Sequence, residues 1–221
     1  MPQFLASEHN YGKRYNLAPC RRYSIQKRLR LIAGLGNPGR NYRETRHNAG
    51  FLVLEEVGRE YGISVDKKKF NTVYGRGAVE GAELILVKPM AYMNNSGPPV
   101  RRLADYFRIS GEEILVIHDD IDLAFGRLKI KEKGGHGGHN GIRSMMDAFG
   151  GGDFPRLRIG VGRSAARTSV TGHVLGKYTV EELKYLDRIV TRARDAIAAI
   201  LTKGIAEAMN RFNDRRFTMT S

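Results

Sequence analysis

Short apolar runs that alternate with amphipathic segments are the feature of this sequence that most restricts its fold. The run Leu31–Ala33 stops at a glycine motif, and similar runs recur at Leu84–Val87 and Ile114–Ile117. Short runs of this kind are typical of buried strands, and helical segments between them indicate strand–helix–strand units. We therefore expect an α/β fold, with a twisted mixed β-sheet flanked by α-helices in a single domain. Further strands are predicted at about 72–79, 127–131 and 157–161.

Helix signals fall between these strands. A first helix is expected from about Asn48, because apolar residues recur at helical spacing as far as Tyr61, and Gly62 follows where a left-handed cap would lie. A second helix is expected from Ser96, with two prolines in its first turn, and another near Asn140. The last helix opens at a capping box and has one apolar face, formed by Thr179, Glu182, Leu183, Leu186, Ile189, Val190, Ile197 and Leu201.

The first 29 residues differ from the rest of the chain. They are basic, poor in acids and without sustained apolar periodicity, so we predict a flexible N-terminal extension over 1–29 and one ordered domain over 30–221. Such a segment also matches an organelle transit peptide, which leaves organelle targeting open beside a cytosolic location. The single cysteine, Cys20, excludes an intrachain disulfide framework. No apolar run approaches the ~20 residues that cross a bilayer, so no membrane association is expected.

The balance of charge favours an anionic partner. Lysine and arginine number 37 against 23 acidic residues, which gives a formal net charge of +14. Such a surplus steers a protein towards nucleic acid, although a merely soluble basic protein carries it equally well. Charge alone therefore suggests RNA or DNA without deciding between the two explanations.

Three glycines after the first strand have the spacing of a dinucleotide-binding fingerprint. They are Gly34, Gly36 and Gly39, and in that fingerprint a pyrophosphate meets the N-terminus of the next helix. Here Pro38 disfavours helical geometry at the residue before it, and the polar stretch 40–47 separates the glycines from the predicted helix. The sequence therefore disfavours nucleotide binding at this motif.

A histidine and an aspartate are the strongest candidates for acid–base chemistry. His47 lies just before the first predicted helix, and an imidazole is the natural base near neutral pH. An isolated histidine at this place would more often be a surface helix cap. However, Asp119 directly follows the strand at Ile114–Ile117, where it can accept a hydrogen bond from one ring nitrogen and leave the other as the base.

Three asparagines lie in glycine-bounded turns at the same predicted edge of the sheet. Asn37, Asn94 and Asn140 are each explained by turn geometry alone, since asparagine tolerates unusual backbone angles. Together they suggest side-chain amides that donate to a carbonyl oxygen, as an acyl-transfer site needs. No nucleophile elbow is present and Cys20 lies in the basic extension, so water is the predicted nucleophile.

A metal-dependent nuclease is the rival interpretation of the same region. Against it, no ordered metal-binding motif is present, so no metal and no cofactor are expected. The glycine-rich stretch 134–141 lacks the ending of a phosphate loop, which favours a mobile rim or an ordinary connection. The possible metal ligands are His118, Asp119, Asp120, Asp122, His136 and His139.

The chain resembles the bacterial-type peptidyl-tRNA hydrolases from about Leu31 to Phe212. That resemblance implies a monomeric, metal-free hydrolase that cuts the ester between a peptide and tRNA on peptidyl-tRNA released from ribosomes. The motifs that carry it are GLGNPG (34–39), TRHNAGF (45–51), YMNNSG (92–97), HDDIDL (118–123), GGHGGHNG (134–141) and FPRLRIGVGR (154–163).

The resemblance also implies roles for individual residues. It implies that His47 is the catalytic base, that Asp119 keeps it in its basic form, and that Asn37 distinguishes a blocked from a free amino group. The remaining matches are Tyr42, Tyr92, Asn94 and Asn140, implied to contact substrate, and Lys131 and Arg158, implied to hold the 5′ phosphate and backbone of the RNA.

The resemblance leaves two matters open. Ala91 stands where the family usually has threonine, and Ala124 stands where it usually has proline, so the geometry of two loops is uncertain. The alternative function is a non-catalytic RNA-binding relative, such as an organelle splicing factor, which shares the fold and keeps the active-site residues. Hydrolysis by purified protein would separate that alternative from the enzyme.

Overall fold

The apolar runs form the strands of one seven-stranded sheet in the computed structural model, which describes residues 29–163 and 169–213. Almost all of the predicted N-terminal extension lies outside the described residues. The strands are β1 (Leu31–Gly34), β2 (Lys67–Lys69), β3 (Thr72–Val79), β4 (Ala82–Pro89), β5 (Ile114–Asp120), β6 (Leu128–Lys131) and β7 (Arg156–Gly160). The helices are α1 (Ala49–Glu60), α2 (Gly97–Tyr106), α3 (Asn140–Phe149), α4 (Val170–Leu175), α5 (Val180–Lys203) and α6 (Ile205–Phe212).

The sheet is mixed, as predicted. Its central strands β4, β1, β5 and β7 are parallel, while β3 and β2 on one side and β6 on the other join antiparallel. Leu31 pairs with Ile85 of β4 and with Ile114 of β5, so β1 lies in the middle. Because parallel strands point the same way, the loops after β1, β4 and β5 meet at one edge of the sheet, where α/β proteins bind ligands.

Alternate side chains of each strand enter two separate hydrophobic layers. Ile32 and Ile117 pack with α1, α5 and α6 on one face. Leu31 and Val116 pack with α2 and α3 on the other. This two-faced burial explains why the central strands read as nearly continuous apolar runs. Among the described residues, no helix combines the length and the hydropathy that a membrane span requires.

Several predicted boundaries are confirmed and others are corrected. The left-handed Gly62 (φ 64°) follows α1 as predicted, and Thr179 forms the expected capping box of α5. By contrast, β5 continues to Asp120, so Asp119 lies within this strand and not after it. Leu183, expected on the buried face of α5, is 50% exposed, because that helix becomes buried only from Ile189 onwards. The sequence analysis did not predict β2, α4 or a separate α6.

The first glycine motif serves helix packing. A Cβ atom on Gly34 would lie 2.4 Å from the carbonyl oxygen of Gly50, so α1 crosses β1 at backbone contact. Gly39 (φ 107°) instead begins a 3-10 turn at 40–42, and α1 begins only at Ala49. The N-terminus of α1 therefore does not follow the glycines directly, in agreement with the sequence argument against a nucleotide site.

The backbone contact of α1 predicts a large effect of a single methyl group. A Cβ on Gly50 would lie 2.4–2.5 Å from three backbone atoms, of Ile117 in β5 and of Leu35 directly after β1, and backbone at the centre of the sheet cannot move aside. We expect Gly50→Ala to lower the free energy of unfolding by about 2–3 kcal/mol, measured by urea denaturation. Gly111→Ala is the matched control, because its Cβ meets only a ring atom of Phe149 at 3.5 Å. Equal stability of the two variants would contradict the packing described.

Candidate active site

A cavity of about 720 Å³ opens at the edge of the sheet where the central parallel strands end. The loops after β1, β4 and β5, the glycine-rich loop and α4 form its walls. Every residue that the sequence singled out for the site lines this cavity. These residues are Asn37, Tyr42, His47, Tyr92, Asn94, Asp119, Lys131, Asn140 and Arg158.

His47 and Asp119 form the predicted pair. The His47 Nδ1 atom lies 2.9 Å from Asp119 Oδ1, and the aspartate side chain is only 1% exposed. A carboxylate at this position accepts a hydrogen bond from the Nδ1–H group, so the lone pair of Nε2 remains available to the cavity. The arrangement is that of an imidazole oriented as a general base.

A second histidine holds the same carboxylate oxygen, which the sequence argument did not foresee. His139 Nε2 lies 2.8 Å from Asp119 Oδ1, and His139 Nδ1 accepts the backbone N–H groups of Gly141 and Ile142 at the start of α3. Because Nδ1 is an acceptor, the ring proton must be on Nε2, so His139 donates to the aspartate. Although burial raises the pKa of Asp119, its two imidazole neighbours outweigh burial and lower that pKa far below 3.8.

The tautomer of His139 argues against the rival metal site. His47, Asp119 and His139 are close enough to surround an ion. However, a metal-bound histidine normally donates its other ring N–H, whereas His139 uses that nitrogen to accept two hydrogen bonds. A metal on Nε2 would require a ring with no proton at either nitrogen.

The other acidic members of the proposed metal cluster are paired with arginines. Asp120 Oδ2 accepts a hydrogen bond from Arg158 Nε, and Asp122 binds Arg163. His136 points its Nδ1 at the backbone N–H of Gly138. The six candidate ligands therefore do not converge on one ion.

His118 is buried beside this group and adds a polar atom without a protein partner. Its Nδ1 donates to the backbone oxygen of Asp119 at 2.7 Å, while its Nε2 is buried without a partner among the described residues. Burial, followed by the nearby His139, lowers the pKa of His118 well below 6.5. The ring is therefore a neutral hydrogen-bond acceptor at the cavity wall.

Asn37 is fixed in one orientation by its neighbours. Its Oδ1 accepts the backbone N–H of Met93 at 2.7 Å, so only the Nδ2 donor remains for the cavity. Asn48 holds the backbone of Asn37 on both sides, accepting its N–H at 2.8 Å and donating to its carbonyl at 3.0 Å. Sequence reasoning missed Asn48, although this residue directly follows His47. Its buried side chain holds the backbone of Asn37, which indicates a positioning role.

The other amides and aromatic rings surround the same space. Asn94 lies in the 3-10 turn after β4, and Asn140 is the first residue of α3. Tyr42 and Tyr92 meet edge to face with ring centroids 6.4 Å apart, and Tyr92 is 63% exposed at the rim. The predicted asparagines are thus brought to one cavity, as the sheet topology required.

Arg46 ties the turn that carries His47 to α5. Its guanidinium binds both carboxylate oxygens of Glu182 at 2.6 and 3.1 Å and lies over the ring of Tyr178. Although burial alone would raise the pKa of Glu182, the hydrogen bond from Arg46 lowers it. A bidentate pair of this kind fixes direction as well as distance, so it restrains the backbone next to the base.

Arg156 anchors the glycine-rich loop. It is 3% exposed, stacks on Phe154, and donates to the carbonyl oxygens of Gly134, Gly135 and Gly152. The first part of the loop predicted to be a mobile rim is therefore held by a buried guanidinium. In the sequence, the signal for this anchor is an arginine at the start of a short strand whose other residues are mostly apolar.

Comparisons with known proteins agree on one family. A family model described as peptidyl-tRNA hydrolase matches residues 31–220. Peptidyl-tRNA hydrolases of Clostridium novyi and Bacillus subtilis are each 45% identical over 183 residues, which is 83% of this chain and 97% of each relative. The crystal structure of peptidyl-tRNA hydrolase from Acinetobacter baumannii is 40% identical with a TM-score of 0.80, and it covers 86% of this chain and 97% of its own.

The buried neutral His118 predicts how stability changes with pH. Its folded pKa lies below 6.5, so as pH falls through about 6.5 the unfolded chain binds a proton that the native state does not. The free energy of unfolding should therefore fall by up to ~1.4 kcal/mol per pH unit from this group between about pH 6.5 and 5. In His118→Asn this part of the slope should disappear in urea denaturation, whereas His136→Asn, which changes a partly buried ring of the glycine-rich loop, should retain it. A full slope in His118→Asn would show that His118 is not held neutral.

Proposed function

The chain belongs to the peptidyl-tRNA hydrolase family and hydrolyses the ester that joins a peptide to tRNA, and we propose that His47 is the general base of this reaction. The observation that carries the proposal is the buried Asp119, which accepts a hydrogen bond from His47 within the cavity. Membership of the family confirms the predicted enzyme class. The roles of the individual residues are proposed.

The proposed reaction begins with a water molecule in the cavity. His47 Nε2 removes a proton from this water as its oxygen attacks the ester carbonyl, which gives a tetrahedral oxyanion. When the oxyanion collapses, the bond to the ribose oxygen breaks, and that oxygen takes the proton from the His47 imidazolium. The products are a tRNA with a free hydroxyl and a peptide with a free carboxyl group, which loses its remaining proton to solvent.

Asp119 supports both protonation states of His47. Its hydrogen bond keeps the Nδ1 proton in place before the attack, and its charge stabilises the imidazolium afterwards. Since His139 also donates to this oxygen, the carboxylate remains ionised and in place throughout. His47 therefore changes charge beside a partner whose own charge is constant.

The asparagine amides supply hydrogen bonds along the acyl group. Asn94 and Asn140 are proposed to donate to the developing oxyanion, and their lining of the cavity that contains His47 supports this role. Asn37 presents an N–H donor because its oxygen is occupied by Met93. We propose that this donor binds the carbonyl of the first peptide bond, which a blocked substrate has and a free aminoacyl-tRNA lacks. A free ammonium group would in addition be repelled by it.

Lys131 and Arg158 lie on the β6–β7 side of the cavity, where we propose that they meet RNA phosphates. Their environments differ, because Arg158 is paired with Asp120 whereas Lys131 pairs with no carboxylate among the described residues. Lys131 therefore has more uncompensated charge to offer. Tyr42 and Tyr92 are proposed to contact the substrate at the rim.

We propose that the protein acts as a monomer, as its resemblance to the family implies. The lack of a disulfide framework supports a reducing compartment, so we propose the cytosol as the location. The substrate class requires tRNA as the partner.

Removal of the base should separate chemistry from binding. In His47→Gln we expect kcat for N-acetyl-aminoacyl-tRNA to fall by ~10²–10⁴, because general base catalysis contributes about that much. The Kd for tRNA should change less than twofold, and a chelator should not affect the wild type. Full turnover in the variant would remove His47 from the mechanism, and tRNA binding without hydrolysis by the wild type would favour the non-catalytic relative.

The two basic residues should differ in their effect on salt dependence. Lys131→Gln should lower the slope of log K for tRNA against log salt by ~0.9, the contribution of one phosphate contact on a duplex. Arg158→Gln combined with Asp120→Asn should change the slope less, because the pair is removed without a change of net charge. An equal loss in both variants would show that Arg158 contacts phosphate despite its aspartate.

A further inference from the structure

Two exposed aromatic rings form a platform outside the cavity, at the β2–β3 edge of the sheet. Phe70 is 38% exposed and Tyr106 is 56% exposed, and their rings meet at a centroid distance of 5.9 Å. Lys69 covers both, with its Nζ atom 4.0 Å from the Tyr106 centroid and 5.1 Å from that of Phe70. We call these three residues the aromatic platform. Large apolar side chains grouped on a surface in this way are typical of binding sites.

Phe70 occupies a backbone conformation that disfavours it. It forms with Asn71 the two-residue turn between Lys69 and Thr72, and both turn residues have positive φ angles, of 49° and 56°. Turns of this kind favour asparagine followed by glycine, and a bulky residue at positive φ is strained. Stability alone would therefore place a different residue here. Strain of this kind points to a function for the side chain that it displays.

The platform is connected to the rim of the cavity. The backbone N–H of Met90 donates to the carbonyl oxygen of Asn71 at 2.8 Å, which fixes the turn against the end of β4. Tyr92, two residues further, lines the cavity and is 63% exposed. A chain that leaves the cavity over Tyr92 would reach Phe70 after roughly four to six extended residues, since these connections span at most about 16 Å.

The position of the platform in the sheet indicates which part of the substrate passes it. The proposed phosphate contacts Lys131 and Arg158 lie on β6 and β7, at one side of the sheet, and His47 follows β1 near its middle. Phe70 and the strands that carry it lie at the opposite side. With RNA on the first side and the ester at the centre, the peptide must extend towards the second.

We propose that the aromatic platform binds the peptide portion of long peptidyl-tRNA substrates, through an apolar or aromatic side chain several residues from the ester. This inference rests on the proposed function, which sets the direction of the substrate. Phe70 and Tyr106 supply an apolar surface that an extended peptide crosses without entering the cavity. Lys69 holds the two rings through its cation–π contacts and adds a donor for peptide carbonyls.

Basic residues beside aromatic rings also suit single-stranded RNA, and β2 contains three consecutive lysines. The placement disfavours that partner, because the proposed RNA contacts lie across the sheet. The two partners make different predictions, since a peptide site affects only substrates with long peptides, whereas an RNA site affects every tRNA.

The experiment compares two substrates that share one tRNA. One carries an N-acetylated single residue, and the other an N-acetylated eight-residue peptide with leucine or phenylalanine at the fourth to sixth positions from the ester. The variants are Phe70→Asn and Tyr106→Ser. Phe70→Asn is well suited because asparagine tolerates positive φ, so the variant should fold at least as stably as the wild type.

For each variant we expect kcat/KM of the long substrate to fall about fivefold to tenfold, as for the loss of one partly buried aromatic contact, with the short substrate unchanged. Equal losses on both substrates, or a reduced salt slope for unacylated tRNA, would assign the platform to RNA and overturn the proposal. No change on either substrate would overturn it as well. The Kd of both substrates in a His47→Gln background tests the platform independently of the base, so a failure of the proposed mechanism is distinguishable.

Discussion

A carboxylate that is almost completely removed from water must have its hydrogen bonds satisfied by the protein, and Asp119 meets this condition with two imidazoles on one oxygen. An unpaired buried charge would destabilise the fold by several kcal/mol, so the hydrogen bonds from the two histidines stabilise the buried aspartate. They come from different parts of the chain. His47 is in the turn before α1, and His139 is at the start of α3. The hydrogen bonds of this one carboxylate therefore connect β5 with the turn before α1 and with the start of α3.

The backbone around this charge is assembled at unusually close range. Gly34 and Gly50 let α1 lie directly on β1, which places the turn before α1 above the end of β5. Gly97 allows a similar approach, since its Cβ would lie 2.0 Å from the carbonyl oxygen of Ser144 and would separate α2 from α3. These contacts bring the loops that carry the three asparagines to one cavity. The glycine motifs thus act through helix packing and not through a phosphate.

The sequence predicted the central strands, the His47–Asp119 pair and the three asparagines from local rules, whereas the other site residues followed only from the family resemblance. Buried parallel strands appear as apolar runs, and polar residues at their carboxyl ends must share one edge of the sheet. It did not predict β2, because a strand of three lysines is stabilised only by pairing with β3. It also missed the donor role of His139 and the pairing of Arg158 with Asp120, which depend on contacts between residues 20 and 38 positions apart. Long-range partners of charged groups leave no periodic signal.

The chain carries a net charge of +14, yet two of the arginines around the site are each paired with a carboxylate. Arg46 is paired with Glu182 and Arg158 with Asp120, whereas Arg156, which lines the same cavity, donates to backbone carbonyl oxygens. Unpaired positive charge close to an imidazole disfavours its protonation. The two ion pairs reduce the net positive charge near the imidazole that we propose as the base. Lys131, which pairs with no carboxylate among the described residues, lies on β6, at the edge of the sheet, whereas His47 follows β1 near its middle. The strand order therefore favours a division of the site in which the proposed attraction of RNA acts from the β6 side and the proposed proton transfer occurs near the centre.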